Sequence, residues 1–326
     1  MKAWRVSGCR DVAGLRIATV ARPQRAPDEV HVAIAYAAVN FADGLMVRGS
    51  YQVRPELPFT PGFEVSGTVL DAGSNSCFAP GDRVCGQVAW GGYAQEVCAP
   101  AARWMHLPES ADLACAAALP VSYITAHIAL FDRAKLRPDD TLVVLAAAGG
   151  VGRAAIELAA GRPGPTIALV GSEAKRGIAL AAGATHAINY REGDWVAEVR
   201  AITGGNGAHA VLDPVGGQQS IEAIRALAWR GKLLVVGFAS GNPAALPANR
   251  LLVKAATASG IFWSHDSDSV LLSKVQTDLM QAWRAGRIRP LISGVHPFED
   301  LPEAIAEIES GGTVGKLLLA VGGCDG

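Results

Sequence analysis

Ala147-Ala-Gly149-Gly-Val-Gly152 places six small residues between an apolar run, Thr141 to Leu145, and a helical pattern, Val151 to Ala160. Residues of this size let a backbone approach a pyrophosphate closely. The N–H groups of Ala148, Gly149, Gly150 and Val151, at the start of a helix, carry partial positive charge toward it. The spacing is that of G-x-G-x-x-G with alanine at the first glycine, and a tight strand-to-helix turn needs glycine with or without a ligand. A second chemical cluster follows at Leu169-Val-Gly171-Ser172-Glu173-Ala-Lys175-Arg176. A carboxylate at such a strand tip would bond ribose hydroxyls. A glycine and a serine followed by two cations instead suit a 2′-phosphate, so this pair of clusters points to NADPH. Glu173 lies two residues past the tip, where an acid suits the start of a helix. Lys175 and Arg176 alone would also fit a solvated helix face, a reading the glycine–serine tip argues against.

The surrounding pattern positions both clusters. Strands are expected at Thr141–Leu145, Thr166–Val170, His186–Asn189, His209–Leu212 and Lys232–Val236. Helices are expected at Val151–Ala160, Ala174–Ala182, Asp194–Ile202 and Gln218–Leu227. This alternation predicts a doubly wound parallel sheet with a ligand at the carboxyl ends of its strands. Asp213-Pro-Val215-Gly-Gly217 and Gly237-Phe238-Ala-Ser240 leave two of those ends. Asp213 is either a ligand contact or an ordinary turn and cap residue.

Bulk properties narrow the function class. The chain has 326 residues, half of them hydrophobic and 18% charged, which suggests about two domains with substantial cores. A net charge of −1 argues against a nucleic-acid partner. No uninterrupted apolar run reaches membrane-spanning length, and Met1-Lys-Ala-Trp-Arg5 is not a signal peptide, so a cytoplasmic protein without a membrane span is expected. The six cysteines, Cys9, Cys77, Cys85, Cys98, Cys115 and Cys324, form no C-x-x-C pair and are expected as free thiols.

The first third reads differently, with short strands at Glu29–Val39, Glu64–Leu70, Arg83–Val88 and Ala94–Ala99 separated by Gly and Pro turns. This pattern predicts a small irregular β-barrel. Asn40 to Tyr51 reads as a turn carrying polar and aromatic groups. Near the other end, Asp268–Ala285 and Leu301–Ser310 read as helices and Gly315–Ala320 as a strand.

Val39-Asn-Phe-Ala-Asp-Gly-Leu-Met-Val-Arg-Gly-Ser-Tyr51, Pro58-Phe-Thr-Pro-Gly-Phe-Glu-Val-Ser-Gly-Thr-Val69, Gly81-Asp-Arg-Val84, Gly91-Gly-Tyr-Ala94 and Leu119-Pro-Val-Ser-Tyr-Ile-Thr-Ala126 occur in one order. Together they resemble the zinc-free quinone oxidoreductase, zeta-crystallin-like, branch of the medium-chain dehydrogenase/reductase superfamily, and the resemblance runs to Lys316. It implies an α/β fold: a Rossmann doubly wound sheet over residues 121–263 and a discontinuous GroES-like β-barrel over 1–120 and 264–326, with the cleft between them. Zinc-dependent relatives carry Gly-His-Glu where this chain has Gly62-Phe63-Glu64. Phenylalanine cannot ligate zinc, so no metal is expected, and Glu64 is expected as a structural hydrogen-bonding residue.

By resemblance, Gly171, Ser172, Lys175 and Tyr190 contact the adenosine phosphate, and Val215, Phe238 and Ser240 lie along the ribose and nicotinamide. Asn40 and Thr125 lie near the nicotinamide, Tyr51 faces the substrate, and Asp43 and Tyr123 join them in the cleft. Phe262 lines the nicotinamide pocket and belongs to a strand that builds a homodimer. Relatives carry an arginine between the last helix and strand; here Glu309-Ser-Gly-Gly-Thr313 lacks it, and Lys316 is the partial replacement. The activity implied is zinc-independent hydride transfer from NADPH to a quinone. The alternatives are NADPH-dependent reduction of an activated carbon–carbon double bond in an enone or another small electrophilic acceptor, and a low-turnover NADPH-binding structural or regulatory protein.

Overall fold

The computed structural model describes residues 1–8, 10–74 and 76–322; Cys9, Cys324 and the rest of the 323–326 tail lie outside the described residues. Two compact units are present. One holds Met1–Val121, Leu272–Met280 and Pro290–Gly326; the other holds Ser122–Leu271 and Gln281–Arg289.

The first unit begins with β1 (Lys2–Arg5) and β2 (Arg16–Thr19), an antiparallel pair. Then come β3 (Glu29–Val39), α1 (Phe41–Val47), β4 (Glu64–Ala72), β5 (Arg83–Gln87), β6 (Glu96–Pro100), β7 (Trp104–His106) and α2 (Leu113–Ala117). Residues 40–51, expected as a turn, contain the helix α1. The cause is a cap reading forward from Asn40: its N–H donates to Asp43 Oδ2 at 2.7 Å, and Asp43 N–H donates to the Asn40 carbonyl at 3.0 Å. An acid three residues past an Asn cap is the signal of a helix start.

Next come α3 (Pro120–His127) and, in the second unit, an alternation: β8 (Leu142–Val144), α4 (Gly150–Ala159), β9 (Thr166–Val170), α5 (Glu173–Ala181), β10 (His186–Asn189), α6 (Trp195–Ile202), β11 (Ala208–Asp213), α7 (Gly217–Ala226), β12 (Leu227–Val235), α8 (Ala248–Leu252) and β13 (Thr257–Gly260). Six strands lie in the order β10-β9-β8-β11-β12-β13, every pair parallel. Leu142 to Leu145 and Ile167 to Val170 are buried along their whole length, because helices of a doubly wound sheet cover both faces and select continuous apolar strands. The order reverses at β8, which makes its carboxyl end a switch point where ligands bind in such sheets.

Helix α9 (His265–Arg284) starts three residues before its expected beginning. Ser264 caps it by accepting from Ser267 N–H at 3.2 Å, and non-helical Asp268 marks a kink where the start was expected. Then β14 (Ile292–Pro297), α10 (Leu301–Glu309) and β15 (Lys316–Ala320) return to the first unit. Its seven-stranded sheet runs β14-β15-β3-β4-β5-β7, with β6 also on β3. β3 is the hub: it pairs antiparallel with β4, β6 and β15 and sends Val30, Val32, Ile34, Ala37 and Val39 into the core. The pairing of Val39 with Leu317 brings Asn40, one residue past β3, to the start of β15. Among the described residues no helix is long and apolar enough to cross a membrane.

Candidate functional site

The glycine turn is built by close approach. Ala146 takes a left-handed φ of 47°, and its carbonyl lies under α4. A Cβ on Gly152 would stand 2.4 Å from that carbonyl oxygen and 2.9 Å from Ala147 Cα, so only glycine lets the helix sit on the turn. Ala147, in place of the first glycine, is fully buried against Leu169 through its N–H at 3.1 Å. No side chain caps α4, whose N-cap is Gly149. The leading N–H groups of a helix have no intrahelical acceptors, so the turn offers donors to an anion, as a dinucleotide phosphate requires.

At the tip of β9, Gly171 turns the chain against the end of β10. A Cβ there would meet the Tyr190 hydroxyl at 3.0 Å and Arg191 Nε at 3.5 Å. Ser172 is the N-cap of α5, yet its side chain makes no capping bond. Glu173 opens α5 and is tied to Arg176, whose Nη1 reaches both carboxylate oxygens at 3.1 and 3.0 Å while Nε donates to Ala187 O at 3.0 Å. Arg176 therefore binds Glu173 and the β10 backbone. Lys175 has a pKa lowered by burial and then by the neighbouring Arg191 charge. Two cations thus crowd the Gly171 bend beside Ser172 and Tyr190. Arg191 was missed in the sequence; its signal was the Tyr190-Arg191 pair just past the third strand of the alternation.

Asp213 proves to be a turn and cap residue. Oδ1 accepts from Val215 N–H at 2.9 Å and Gly216 N–H at 3.0 Å, and Oδ2 accepts from the Ser220 hydroxyl. The loop it shapes lies on the next one. Ser240 N–H donates to Val215 O at 2.9 Å, and a Cβ on Gly216, at φ 79°, would meet Phe238 Cδ1 at 2.9 Å. Val215, Phe238 and Ser240 are therefore brought together beyond the carboxyl ends of β11 and β12. Thr125 Oγ1 accepts from Trp263 Nε1 at 3.0 Å. Phe262, next to Trp263, is 56% exposed. Tyr123 is buried and donates to Glu157 Oε2 at 2.7 Å, a partner in α4 and not in an open cleft.

In the first unit the chemistry gathers at the end of β3. Lys316 Nζ donates to Glu64 Oε2 at 2.7 Å and to Asn40 Oδ1 at 2.5 Å. Glu64 Oε1 accepts from Val121 N–H at 2.7 Å, so it is a structural hydrogen-bonding residue. Lys316 is only 6% exposed and its charge is met by Glu64. Asp43, expected in the cleft, is fully buried. Burial pushes its pKa up to about 7 against the hydrogen bonds of Tyr93 and Asn40 and the Lys316 charge. Phe63 is buried, and Tyr51 packs edge-on against it at 5.4 Å between ring centroids. Burial, then Asp43, raise the Tyr51 pKa. Among the described residues no three His, Cys, Asp or Glu side chains gather as metal ligands.

Residues 26–109 match the family described as alcohol dehydrogenase GroES-like domain, and residues 150–277 match that described as zinc-binding dehydrogenase. Quinone oxidoreductase-like protein 2 of Mus musculus is 38% identical over 311 residues, 94% of this chain and 89% of that protein. The fold is similar to that of Escherichia coli quinone oxidoreductase complexed with NADPH, with a TM-score of 0.91 at 28% identity over 98% of this chain and all of that one. It is also similar to the quinone oxidoreductase of Thermus thermophilus, solved alone and with NADPH, with a TM-score of 0.85 at 31% identity over 98% and 100% of the two chains. The Rossmann sheet, the GroES-like match and these relatives agree: the chain belongs to the quinone oxidoreductase branch of the medium-chain dehydrogenase/reductase superfamily.

Proposed function

We propose that the protein is an NADPH-dependent reductase that passes hydride to a quinone without a metal ion. The observation that carries the choice of cofactor is the tip of β9, where Tyr190 and Arg191 lie against Gly171, Lys175 feels the Arg191 charge, Ser172 follows the bend, and Glu173 is paired with Arg176. Cations and a hydroxyl suit a 2′-phosphate, whereas a free carboxylate there would repel it. NADPH complexes of similar quinone oxidoreductases support the same reading.

Bound NADPH supplies the hydride. The turn at Ala148–Val151 would hold its pyrophosphate, and Val215, Phe238 and Ser240, gathered at the same end of the sheet, would contact the rest of it. Asn40 is oriented by Lys316, whose ammonium donates to Oδ1, while Nδ2 makes two long bonds of 3.4 Å to Ala38 O and Glu64 Oε2 that an acceptor oxygen would replace in part. Tyr51, with its pKa raised, keeps its proton through neutral pH and serves as a hydrogen-bond donor. Phe63, at the ligand position of zinc-dependent relatives, supports an acceptor activated by its own conjugation, which a quinone provides.

We also propose a homodimer formed through β13. It is an edge strand of the parallel sheet, and Phe262 lies exposed just beyond it. Light scattering should give twice the chain mass, falling to one chain for Phe262→Asp. NADPH oxidation followed with a panel of quinones and enones tests the activity: turnover with quinones supports it, and binding of NADPH without turnover on any acceptor refutes it.

A further inference from the structure

Among the described residues of the first unit, Asp43, Glu64 and Glu96 are the buried acids. Glu64 is paired with Lys316 and Glu96 with Arg22, whereas no ion pair among these residues reaches Asp43. Asp43 Oδ2 accepts from Asn40 N–H at 2.7 Å, but Oδ1 is buried without a hydrogen-bond partner. The Tyr93 hydroxyl beside it is also fully buried and directs its proton to Ala38 O at 3.4 Å. An ionised Asp43 would leave Oδ1 a bare acceptor in the core. A proton on Oδ1 removes that defect, because the acid can then donate to the Tyr93 oxygen. Burial acts in the same direction, raising the Asp43 pKa to about 7 in spite of the Lys316 charge.

The groups around this acid show what the proton controls. Asp43 holds the backbone of Asn40, and Lys316 on β15 holds the Asn40 side chain through Oδ1 at 2.5 Å. The other charged and titratable groups packed here are Glu64 on β4, Tyr93, Tyr51 beyond α1, and the Arg48–Glu309 pair at the ends of α1 and α10. Arg48 is taken by Glu309, so the Lys316 ammonium is shared between Glu64 and Asn40. A second buried carboxylate would compete for that ammonium and draw it from Asn40 Oδ1. It would also set a negative charge near Tyr51, opposing the charge that an acceptor oxygen gains with hydride.

We propose that Asp43 is a positioning residue for quinone reduction: with its proton it keeps Asn40 and Lys316 arranged for an acceptor oxygen, and its ionisation switches that arrangement off. This rests on the reductase reading and deepens it.

Infrared spectra of the full chain test the proton, and the pH profile of kcat with a quinone tests the role. At about pH 6 the wild type should show the carbonyl band of a buried protonated carboxyl, lost by about pH 8.5 and missing in Asp43→Asn. Over the same range kcat at saturating NADPH and quinone should fall about tenfold, the worth of one charge-assisted hydrogen bond, with KM changing less. Asp43→Asn cannot ionise, so its profile should be flat, whatever its level. Asp43→Ala takes the anchor from Asn40 N–H. With circular dichroism showing it folded, its kcat should lie below that of Asp43→Asn by about tenfold at the lower pH. A purely structural Asp43 would move the thermal midpoint and not the pH slope. Absence of the band, a flat wild-type profile, or a decline that persists in Asp43→Asn overturns the proposal. A wild type that reduces no quinone at any pH sinks the reductase reading and this role with it; the infrared band, read without turnover, separates that outcome from a failure of the Asp43 assignment.

Discussion

Lys316 Nζ stands 2.7 Å from Glu64 Oε2 with both side chains buried, joining residues 252 positions apart. The pair also fixes Asn40, so one cluster couples the stability of the first unit to the geometry of a proposed catalytic group. Removing only the cation leaves a buried carboxylate without its partner. Lys316→Met is therefore expected to cost about 3–5 kcal/mol in urea unfolding. Adding Glu64→Gln should recover most of that loss. A single variant that unfolds like the wild type would contradict the pairing.

Gly152→Ala places a methyl 2.4 Å from the Ala146 carbonyl oxygen. The turn or the helix must move, with an expected loss of about 1–3 kcal/mol in thermal or urea unfolding. NADPH affinity should fall with it. Gly149→Ala, whose nearest contact would be 3.3 Å, should be milder in both measurements.

Asp43 gives the first unit a pH dependence. Its folded pKa is raised to about 7 from 3.8, so the folded state keeps a proton that the unfolded state releases. The contribution is fully present below about pH 4 and is lost as pH rises toward 7, by up to an order of 4 kcal/mol. Asp43→Asn should remove this decline, and its stability relative to the wild type should rise between pH 4 and 7 in unfolding curves. A constant difference across that range would contradict the assignment.

Lys175→Ala and Arg191→Ala should each weaken NADPH binding by roughly tenfold, the worth of one charge-assisted contact, while leaving NADH binding nearly unchanged. Fluorescence titration with the two cofactors reads the difference. Equal weakening of both would place these cations away from a 2′-phosphate.

The parallel sheet was legible because β8 and β9 are fully buried runs between turn residues and because strands alternate with amphipathic helices through the whole segment. The glycine turn was legible for the same reason, although the sequence did not reveal that Gly152 is required by the Ala146 carbonyl beneath it. Helix α1 was readable from Asn40 and Asp43, a cap signal passed over among glycines and aromatics. Arg191 has no local signal beyond its place next to Tyr190, and only the packing of the loop after β10 on Gly171 brings it to the tip of β9. The Glu64–Lys316 pair had no local signal, since strand register, not spacing along the chain, brings β15 beside β3. Tyr123 and Asp43 show the converse: residue type suggested a cleft, and only packing shows them buried.

The most direct test of the central claim is the initial rate of quinone reduction by chelator-treated, metal-free protein, with NADPH and NADH compared at equal concentration. The account predicts turnover without added zinc and a preference for NADPH of about tenfold to a hundredfold, from two charge-assisted phosphate contacts. A zinc requirement, equal rates with NADH, or no turnover despite NADPH binding would contradict it.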